Sequence, residues 1–182
     1  MNDTATTYGK LPILGFCANG SGIGKTTLLT RLIPELNVRG LRISVIKHAH
    51  HSFDIDHPGK DSYRLREAGA TQTLIGSRHR WALMTELTRS GASPQDEPSL
   101  SELTSLIDSR MTDLILVEGF KHEPFPKIEV HRSAMQRPLL APDDPNIIAI
   151  ATDASLETHL PQLDLNQPAE IAAFVIDWVK SR

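Results

Sequence analysis

The sequence predicts an α/β fold of three layers, in which helices cover both faces of a mixed, mostly parallel sheet. Short apolar runs alternate with amphipathic patterns along the chain, which is typical of strand–helix–strand units. A glycine-rich turn joins the first apolar run to the first helical pattern. The 182 residues suffice for one domain with a substantial core, predicted at residues 11–182, whereas the polar residues 1–10 are expected to be disordered.

The first third of the chain predicts a strand, a helix and a second strand. Residues 12–18 form the first strand, and a helix follows from about Lys25 to Arg39. Pro34 removes a backbone donor and is expected to bend this helix, and Gly40 favours a left-handed end. Residues 41–46 predict the second strand. Apolar side chains recur along the helix at three- and four-residue spacing: Leu28, Leu29, Leu32, Ile33 and Leu36.

The middle of the chain predicts a long loop, a short helix and a hairpin. Residues 47–60 are polar and too many for a simple connection, which is typical of a functional loop. A short helix is expected from Asp61 or Ser62 to Ala68. The apolar runs 71–76 and 80–85 are separated by a short turn, so they predict a hairpin, and its pairing with the main strands would make the sheet mixed.

The last part of the chain continues the alternation. A short helix at residues 101–107 leads to a strand at 113–118, and further strands are expected at 127–130 and 146–151. The final helix begins near Gln167. Its apolar face contains Ile171, Phe174, Val175 and Trp178.

Composition limits the classes of function. There are 19 basic and 22 acidic residues, a net charge of −3, so nothing favours a nucleic-acid partner. No apolar run approaches the roughly 18 residues of a membrane span, and the start of the chain has no signal-peptide pattern. Cys17 is the only cysteine and lies in an apolar run, which favours a buried, inert thiol. We therefore expect a cytoplasmic protein.

Residues 20–27, here called the glycine loop, carry the strongest functional signal. They match most of a phosphate-binding P-loop in its required position between a buried strand and a helix, which makes the predicted fold P-loop NTPase-type. The backbone N–H groups of this loop would bind the phosphates of a nucleoside triphosphate, and Lys25 would reach the β- and γ-phosphates. Thr26 would bind Mg²⁺, and Thr27 would approach the α-phosphate. The nucleotide-binding residues are Gly20, Ser21, Gly22, Ile23, Gly24, Lys25, Thr26 and Thr27.

One position departs from the strict motif. Its first glycine falls five positions before Gly24, where this chain has Asn19. Asparagine tolerates left-handed backbone better than most residues. We expect phosphate binding to survive with a different loop entrance.

A carboxylate on the metal side is expected at the end of a neighbouring strand. Glu118 ends the strand 113–118 on the side where open α/β sheets bind ligands, whereas Asp113 begins it. We therefore favour Glu118 as the group that holds a metal-bound water. Together with Lys25 it would serve any hydrolysis.

The histidine-rich loop leaves several interpretations open. Four histidines lie between residues 48 and 57 without the regular spacing of strong zinc motifs, so a nucleotide-sensitive loop is favoured over a metal centre. Asp54 or Asp56 would then touch the Mg²⁺ shell. Lys47 and Lys60 fit anion contacts and solvated surface positions equally well.

No Asn-Lys-x-Asp guanine signature is present. The best substitute is the pair Thr152 and Asp153, just after a predicted strand. An aspartate there would accept hydrogen bonds from guanine N1–H and N2–H₂, which adenine does not offer. A simple turn aspartate is an equally good interpretation.

Taken together, these residues resemble the molybdopterin-guanine dinucleotide biosynthesis adapter family, MobB. The matching stretches are SGIGKTTL (21–28), LIP (32–34), VIKHAHH (45–51), DID (54–56), PGKDSY (58–63), AGA (68–70), RWALMTE (80–86) and DLILVEGFKH (113–122). The match extends in order over roughly residues 11–180, and the histidine stretch followed by PGKDS is its most specific part.

The resemblance implies a GTP-binding homodimer with weak GTPase activity and Mg²⁺ as the metal. It implies help to the guanylyltransferase that joins GMP to molybdopterin, with molybdopterin itself or molybdoenzyme-maturation proteins as further partners. Residues 80–85 would lie near the nucleotide or the pterin, although Trp81 and Met84 fit core or dimer packing equally well.

Two other classes of function remain open. A small-molecule P-loop kinase has a similar size, but it usually needs an arginine-rich lid, and no lid-like insertion is evident around Arg78, Arg80 or Arg89. A nucleotide-dependent interaction module without turnover is the third. Since no arginine finger is apparent, we expect unaided hydrolysis no faster than about 10⁻² s⁻¹.

Overall fold

The computed structural model describes residues 11–49, 53–89, 91 and 97–182. In chain order the regular elements are β1 (Ile13–Cys17), α1 (Lys25–Val38), β2 (Ile43–Lys47), α2 (Asp61–Glu67), β3 (Gln72–Gly76), β4 (Trp81–Thr85), α3 (Leu100–Ser105), β5 (Leu114–Glu118), β6 (Lys127–His131), β7 (Ile147–Thr152), β8 (Gln162–Asp164) and α4 (Pro168–Lys180). Short 3-10 turns occupy Leu87–Arg89 and Ser133–Met135. None of the helices in these described segments is long and apolar enough to cross a bilayer.

The chain divides into two compact units. The larger one combines the described residues up to His48 with residues 99–182, and the smaller one comes from residues 49–98. The extent of a single domain over residues 11–182 stays a prediction. The expected disorder of residues 1–10 concerns a segment outside the described residues.

The larger unit is built on a six-stranded sheet in the order β2-β5-β1-β6-β7-β8. Every neighbouring pair in it is parallel, so all six strands end at the same edge. On one face, α1 and α4 bury residues such as Leu32, Leu36, Ile171 and Val175. On the other, Leu100 at the start of α3 packs into a second cluster with Ile115. These layers confirm the predicted three-layer α/β fold.

Several local predictions are confirmed. The predicted apolar face of α1 is the buried one, and the helix continues from Lys25 to Val38 through Pro34; the bend expected at Pro34 stays a prediction. Gly40 has the left-handed φ of 92° expected after it. Cys17 is buried, and burial raises the pKa of its thiol to about 12, so it stays protonated.

The smaller unit contains the predicted hairpin, but the hairpin does not join the main sheet. β3 and β4 pair only with each other, antiparallel, and form a separate two-stranded sheet among the described residues. The main sheet is therefore parallel throughout rather than mixed. Alternation along a strand determines which side chains share a face, but it does not determine which strand becomes its neighbour, and this explains the difference.

Candidate functional site

The candidate site lies where β1 and its neighbours end. β1 runs between β5 and β6, with Phe16 opposite Glu118 on one side and Ile128 on the other. Because the strands are parallel, the glycine loop after β1 shares this edge with Glu118 and with the segment that follows β6. Ligands bind at this edge in open α/β sheets.

The glycine loop has the backbone geometry that phosphate binding requires. Gly20, Gly22 and Gly24 have φ values of 121°, 74° and 107°, a region that side chains with a Cβ rarely adopt. Gly24 is also the residue that caps α1, and no side chain accepts a hydrogen bond from the first N–H groups of the helix. These donors and the helix dipole favour an anion at this point.

Lys25 folds back over the loop. Its Nζ donates to the carbonyl oxygen of Gly20 at 3.3 Å. The ammonium is therefore held above the turn that it is predicted to complete around a phosphate.

Glu118 and Thr26 come together from different elements. The Thr26 hydroxyl lies 2.9 and 3.0 Å from the two oxygens of the Glu118 carboxylate and donates to it. Lys47 Nζ, from the end of β2, lies 3.6 Å from Oε2 of the same carboxylate. The Glu118 side chain is 13% exposed, so this hydroxyl–carboxylate pair is partly shielded from water. Hydroxyl and carboxylate oxygens are ligands that Mg²⁺ accepts.

A sharp turn follows Glu118 and fixes its direction. Gly119 has a φ of 109° and Phe120, unusually for a residue with a side chain, a φ of 50°. A Cβ on Gly119 would lie 2.6 Å from the Cβ of His48, so only glycine fits there. The His48 ring stacks on Phe120 with centroids 4.6 Å apart, and the His48 N–H donates to the Glu118 carbonyl oxygen.

Asp113 lies at the opposite edge of the sheet. Its two oxygens accept from Nε of Arg42 at 2.9 Å and from the second guanidinium nitrogen at 2.6 Å. The hydrogen bonds from Arg42 lower the pKa of this carboxyl to about 2. Asp113 is thus ion-paired with Arg42, a partner that the sequence did not indicate.

Thr152 ends β7, two strands from β1, and Asp153 follows it. Asp153 Oδ1 accepts from the N–H of Ser133 at 2.8 Å, and its Oδ2 lies 3.7 Å from the guanidinium of Arg132. The Ser133 N–H is the main cause of the lowered pKa of Asp153, and Arg132 adds to it. Thr152 is buried, and its hydroxyl caps the turn through the N–H of Ala154.

Arg132 is a site residue that sequence reasoning missed. It follows β6, its Nε donates to the carbonyl oxygen of Ile23 at 3.0 Å, and a Cβ on Gly24 would lie 3.3 Å from that nitrogen. Arg132 therefore contacts the glycine loop and Asp153 at once. The only signal in the sequence was its place after a strand.

The loop entrance is anchored by a second set of contacts. Asn19, the departure from the motif, donates from its side chain to the Pro138 carbonyl oxygen at 2.9 Å. The nearby chain is held by the buried Glu129 carboxylate, which accepts from the N–H groups of Leu140 and Ala141. Burial raises the pKa of Glu129. Asn19 thus makes a side-chain hydrogen bond that the glycine of the strict motif could not make.

Asp54 belongs to the smaller unit and has partners there. One oxygen accepts from Arg66, and the other accepts from the Asp56 N–H at 2.9 Å. These contacts lower its pKa, the Asp56 N–H first. Its predicted place in the Mg²⁺ shell stays a prediction. The described residues contain no cluster of three or more metal-ligating side chains, and His50 and His51 lie outside them.

The hairpin exposes apolar side chains on one face. Leu74 pairs with Leu83, and Trp81 lies on the same face; they are 66%, 47% and 69% exposed. Trp81 is therefore not a core residue, which leaves a ligand or a second chain as its predicted contact.

The larger unit is a three-layer α/β fold with a parallel six-stranded sheet, in which the glycine loop joins β1 to α1. Solved structures share it: a crystal structure described as molybdopterin-guanine biosynthesis protein B (mobB) has a TM-score of 0.68 and 24% identity, covering 91% of this chain and 99% of that one. A Bacillus subtilis MobB structure has a TM-score of 0.67 and 24% identity, covering 92% and 97%.

Sequence comparison gives the family. Residues 13–153 match the model for "Molybdopterin guanine dinucleotide synthesis protein B". A molybdopterin-guanine dinucleotide biosynthesis adapter protein from Escherichia coli K12 is 47% identical, covering 94% of this chain and 95% of that protein. One from Haemophilus influenzae is 45% identical, covering 93% and 90%. The chain belongs to the MobB family, as the resemblance predicted.

Proposed function

We propose that this protein binds GTP with Mg²⁺ and acts as an adapter in molybdopterin guanine dinucleotide biosynthesis. Family membership supports the role in that biosynthesis. The observation that carries the nucleotide proposal is the meeting of three groups at one sheet edge: the left-handed glycines of the loop, Lys25, and the Thr26–Glu118 pair.

The loop supplies phosphate recognition in this proposal. The N–H groups at the start of α1 receive the phosphate oxygens, and Lys25 moves from the Gly20 carbonyl to the β- and γ-phosphates. Both contacts are stronger than ordinary hydrogen bonds because phosphate is charged. The proposed binding residues remain Gly20 to Thr27 of the glycine loop.

Thr26 and Glu118 fit a Mg²⁺ site by their chemistry. They bring a hydroxyl and a carboxylate oxygen within 3.0 Å of each other, beside the phosphate-binding donors. Mg²⁺ usually takes one or two protein oxygens together with phosphate oxygens and water. When bound, the ion would neutralise phosphate charge. Glu118 would orient the water around it, and Lys47 would balance the charge of this carboxylate.

We further propose that Asp153 reads guanine. Its carboxylate is kept ionised by Ser133 and Arg132, which suits an acceptor of two guanine N–H groups. One of its oxygens already accepts from Ser133, so guanine would share that oxygen. The selectivity for GTP over ATP is therefore expected to be moderate.

Hydrolysis is expected to be slow. Lys25 is the cation proposed to contact the phosphates, Glu118 would hold the water, and no arginine-rich lid was evident in the sequence. Unaided turnover no faster than about 10⁻² s⁻¹ is consistent with such a site.

The proposed partner is the guanylyltransferase that attaches GMP to molybdopterin. A homodimer is also proposed, because Leu74, Trp81 and Leu83 expose apolar surface on one face of the hairpin. Exposed aromatic and aliphatic side chains in one patch are typical of protein interfaces. Molybdopterin or molybdoenzyme-maturation proteins are further candidates.

The test of nucleotide binding is calorimetry with GTP and ATP in the presence of Mg²⁺. Wild-type protein should bind GTP more tightly, and Lys25→Ala should lose triphosphate binding while its circular dichroism spectrum is unchanged, because the hydrogen bond of its side chain is an exposed one to the loop. Tighter binding of ATP than of GTP would refute the proposed preference for guanine. Normal GTP binding by Lys25→Ala would refute the phosphate site.

The test of the adapter role is a pull-down of the purified guanylyltransferase with and without GTP, with Lys25→Ala as the matched variant. GTP should change capture by the wild type and leave capture by the variant unchanged. Rapid multiple-turnover phosphorylation of a small acceptor would instead identify a kinase.

A further inference from the structure

We infer that Arg132 is a positioning residue that fixes the orientation of the peptide group between Ile23 and Gly24 in the glycine loop. This inference rests on the proposed binding of GTP. It adds a residue from outside the loop, just after β6, the strand next to β1, to the parts of the proposed phosphate site.

The geometry follows from one hydrogen bond. Arg132 Nε donates to the Ile23 carbonyl oxygen at 3.0 Å. In a planar trans peptide, the C=O of one residue and the N–H of the next point in opposite directions. Holding the Ile23 carbonyl on the Arg132 side therefore directs the Gly24 N–H away from the guanidinium. That N–H is one of the donors proposed for phosphate.

This peptide group needs such an anchor. Gly24 has a φ of 107° and no Cβ, so its backbone has access to several conformations on its own. Rotation of the peptide would require the Ile23 carbonyl to leave Arg132. The hydrogen bond thus selects one orientation before any ligand arrives, which is the physical content of preorganisation.

Asp153 holds the arginine in place from the other side. Its Oδ2 lies 3.7 Å from Arg132, whose side chain is 36% exposed, and its Oδ1 accepts from the N–H of Ser133, the next residue. The chain after β6 and the chain after β7 therefore restrain the guanidinium together. Arg132 contacts the loop through the Ile23 carbonyl oxygen. Because this peptide group also carries the Gly24 N–H proposed for phosphate, the hydrogen bond is expected to act on phosphate binding rather than on the base.

The test separates the hydrogen bond from the charge. The side chains introduced by Arg132→Gln and Arg132→Met are both neutral, and both end at the position along the side chain where arginine has Nε. The Gln amide nitrogen takes the place of Nε, whereas Met has no donor there. Arg137→Met, on an exposed residue of the same segment, is the control for the Met substitution.

The measurement is calorimetric affinity for Mg²⁺-GTP and Mg²⁺-ATP. Arg132→Met should weaken both nucleotides by roughly tenfold, with the same GTP-to-ATP ratio as Arg132→Gln, since both variants lose the ion pair with Asp153 and only Met also loses the hydrogen bond to the loop. Arg132→Gln should stay within about threefold of the wild type for the same reason. Arg137→Met should match the wild type.

Four results would overturn the inference. Wild-type affinity in Arg132→Met would mean that the anchor is not needed. Equal losses in the Gln and Met variants would assign the effect to the charge of Arg132, and a GTP-to-ATP ratio that differs between the two variants would assign it to the base. Absence of GTP binding by the wild type would refute the proposed function itself, and the inference with it.

Discussion

The two ends of β5 carry two carboxylates with opposite surroundings. Asp113, just before the strand, is held by two nitrogens of the Arg42 guanidinium and by its backbone N–H. Glu118, the last residue, accepts from one neutral hydroxyl and has a lysine nitrogen at 3.6 Å. They are only five positions apart in the chain, and they lie at opposite edges of the sheet.

This difference distinguishes a structural carboxylate from one suited to a ligand. A bidentate arginine pair fills the acceptor positions of Asp113 and directs them, so no cation is needed there. The threonine hydroxyl has a single proton to donate, so Glu118 keeps lone pairs that can bind a cation. The glycine loop lies at the same edge of the sheet as Glu118.

Three variants test this difference between the two carboxylates, and the variant with the largest expected effect comes first.

Gly119→Ala should destabilise the protein most, because it disturbs the turn that directs Glu118. The new Cβ would lie 2.6 Å from the His48 Cβ at a φ of 109°. We expect a loss of about 2 to 4 kcal/mol in the free energy of unfolding, measured by urea denaturation. Gly40→Ala is the matched control, since Gly40 has a φ of 92° and open space around it. Equal losses in the two variants would show that the His48 contact is unimportant.

Glu118→Gln should reduce the effect of Mg²⁺ on GTP binding. Loss of one carboxylate charge beside a bound cation is expected to weaken Mg²⁺-dependent binding by roughly 10- to 100-fold. Calorimetry with and without Mg²⁺ measures this difference. Asp113→Asn is the control at the other end of the strand, and it should bind like the wild type. The assignment of Glu118 to the metal fails if the two variants behave alike.

Asp113→Asn should have the smallest effect, on stability alone, and that effect should depend on pH. The folded pKa of Asp113 is about 2, below its ordinary value of 3.8, so its stabilising contribution is present above pH 3.8 and is lost as the pH falls through 2. At pH 7 the variant should melt roughly 2 to 4 °C lower, the scale of one partly exposed ion pair. The gap should close toward pH 2. A constant gap would mean that the Arg42 pair is not its cause.

Much of the fold was predictable because its signals are local. The buried face of α1 follows from the spacing of its leucines, and the strand–loop–helix order follows from the apolar run before Gly20. The three-residue strand β8 was missed because so short a run has no measurable period. The independence of the hairpin was missed because strand partners are set by contacts distant in the chain.

The site was predictable to the extent that its residues belong to one motif. Lys25, Thr26 and Glu118 were identified from the motif and from the position of a strand end, and the structure brings Thr26 and Glu118 together. Arg132 lies 109 positions from its acceptor Ile23, and no spacing rule connects them. Such a residue becomes visible only when neighbouring strands are known.

The contact between Lys25 and Gly20 has a consequence for the thermodynamics of binding. A free lysine side chain loses up to about 2 kcal/mol of rotamer entropy when it is immobilised. Here its Nζ already donates to a carbonyl oxygen 3.3 Å away within the protein itself. Part of that entropy is therefore lost on folding rather than on binding. If a phosphate replaced this carbonyl, Lys25 would exchange a neutral acceptor for a charged one. The association of this lysine with its ligand should therefore be dominated by enthalpy.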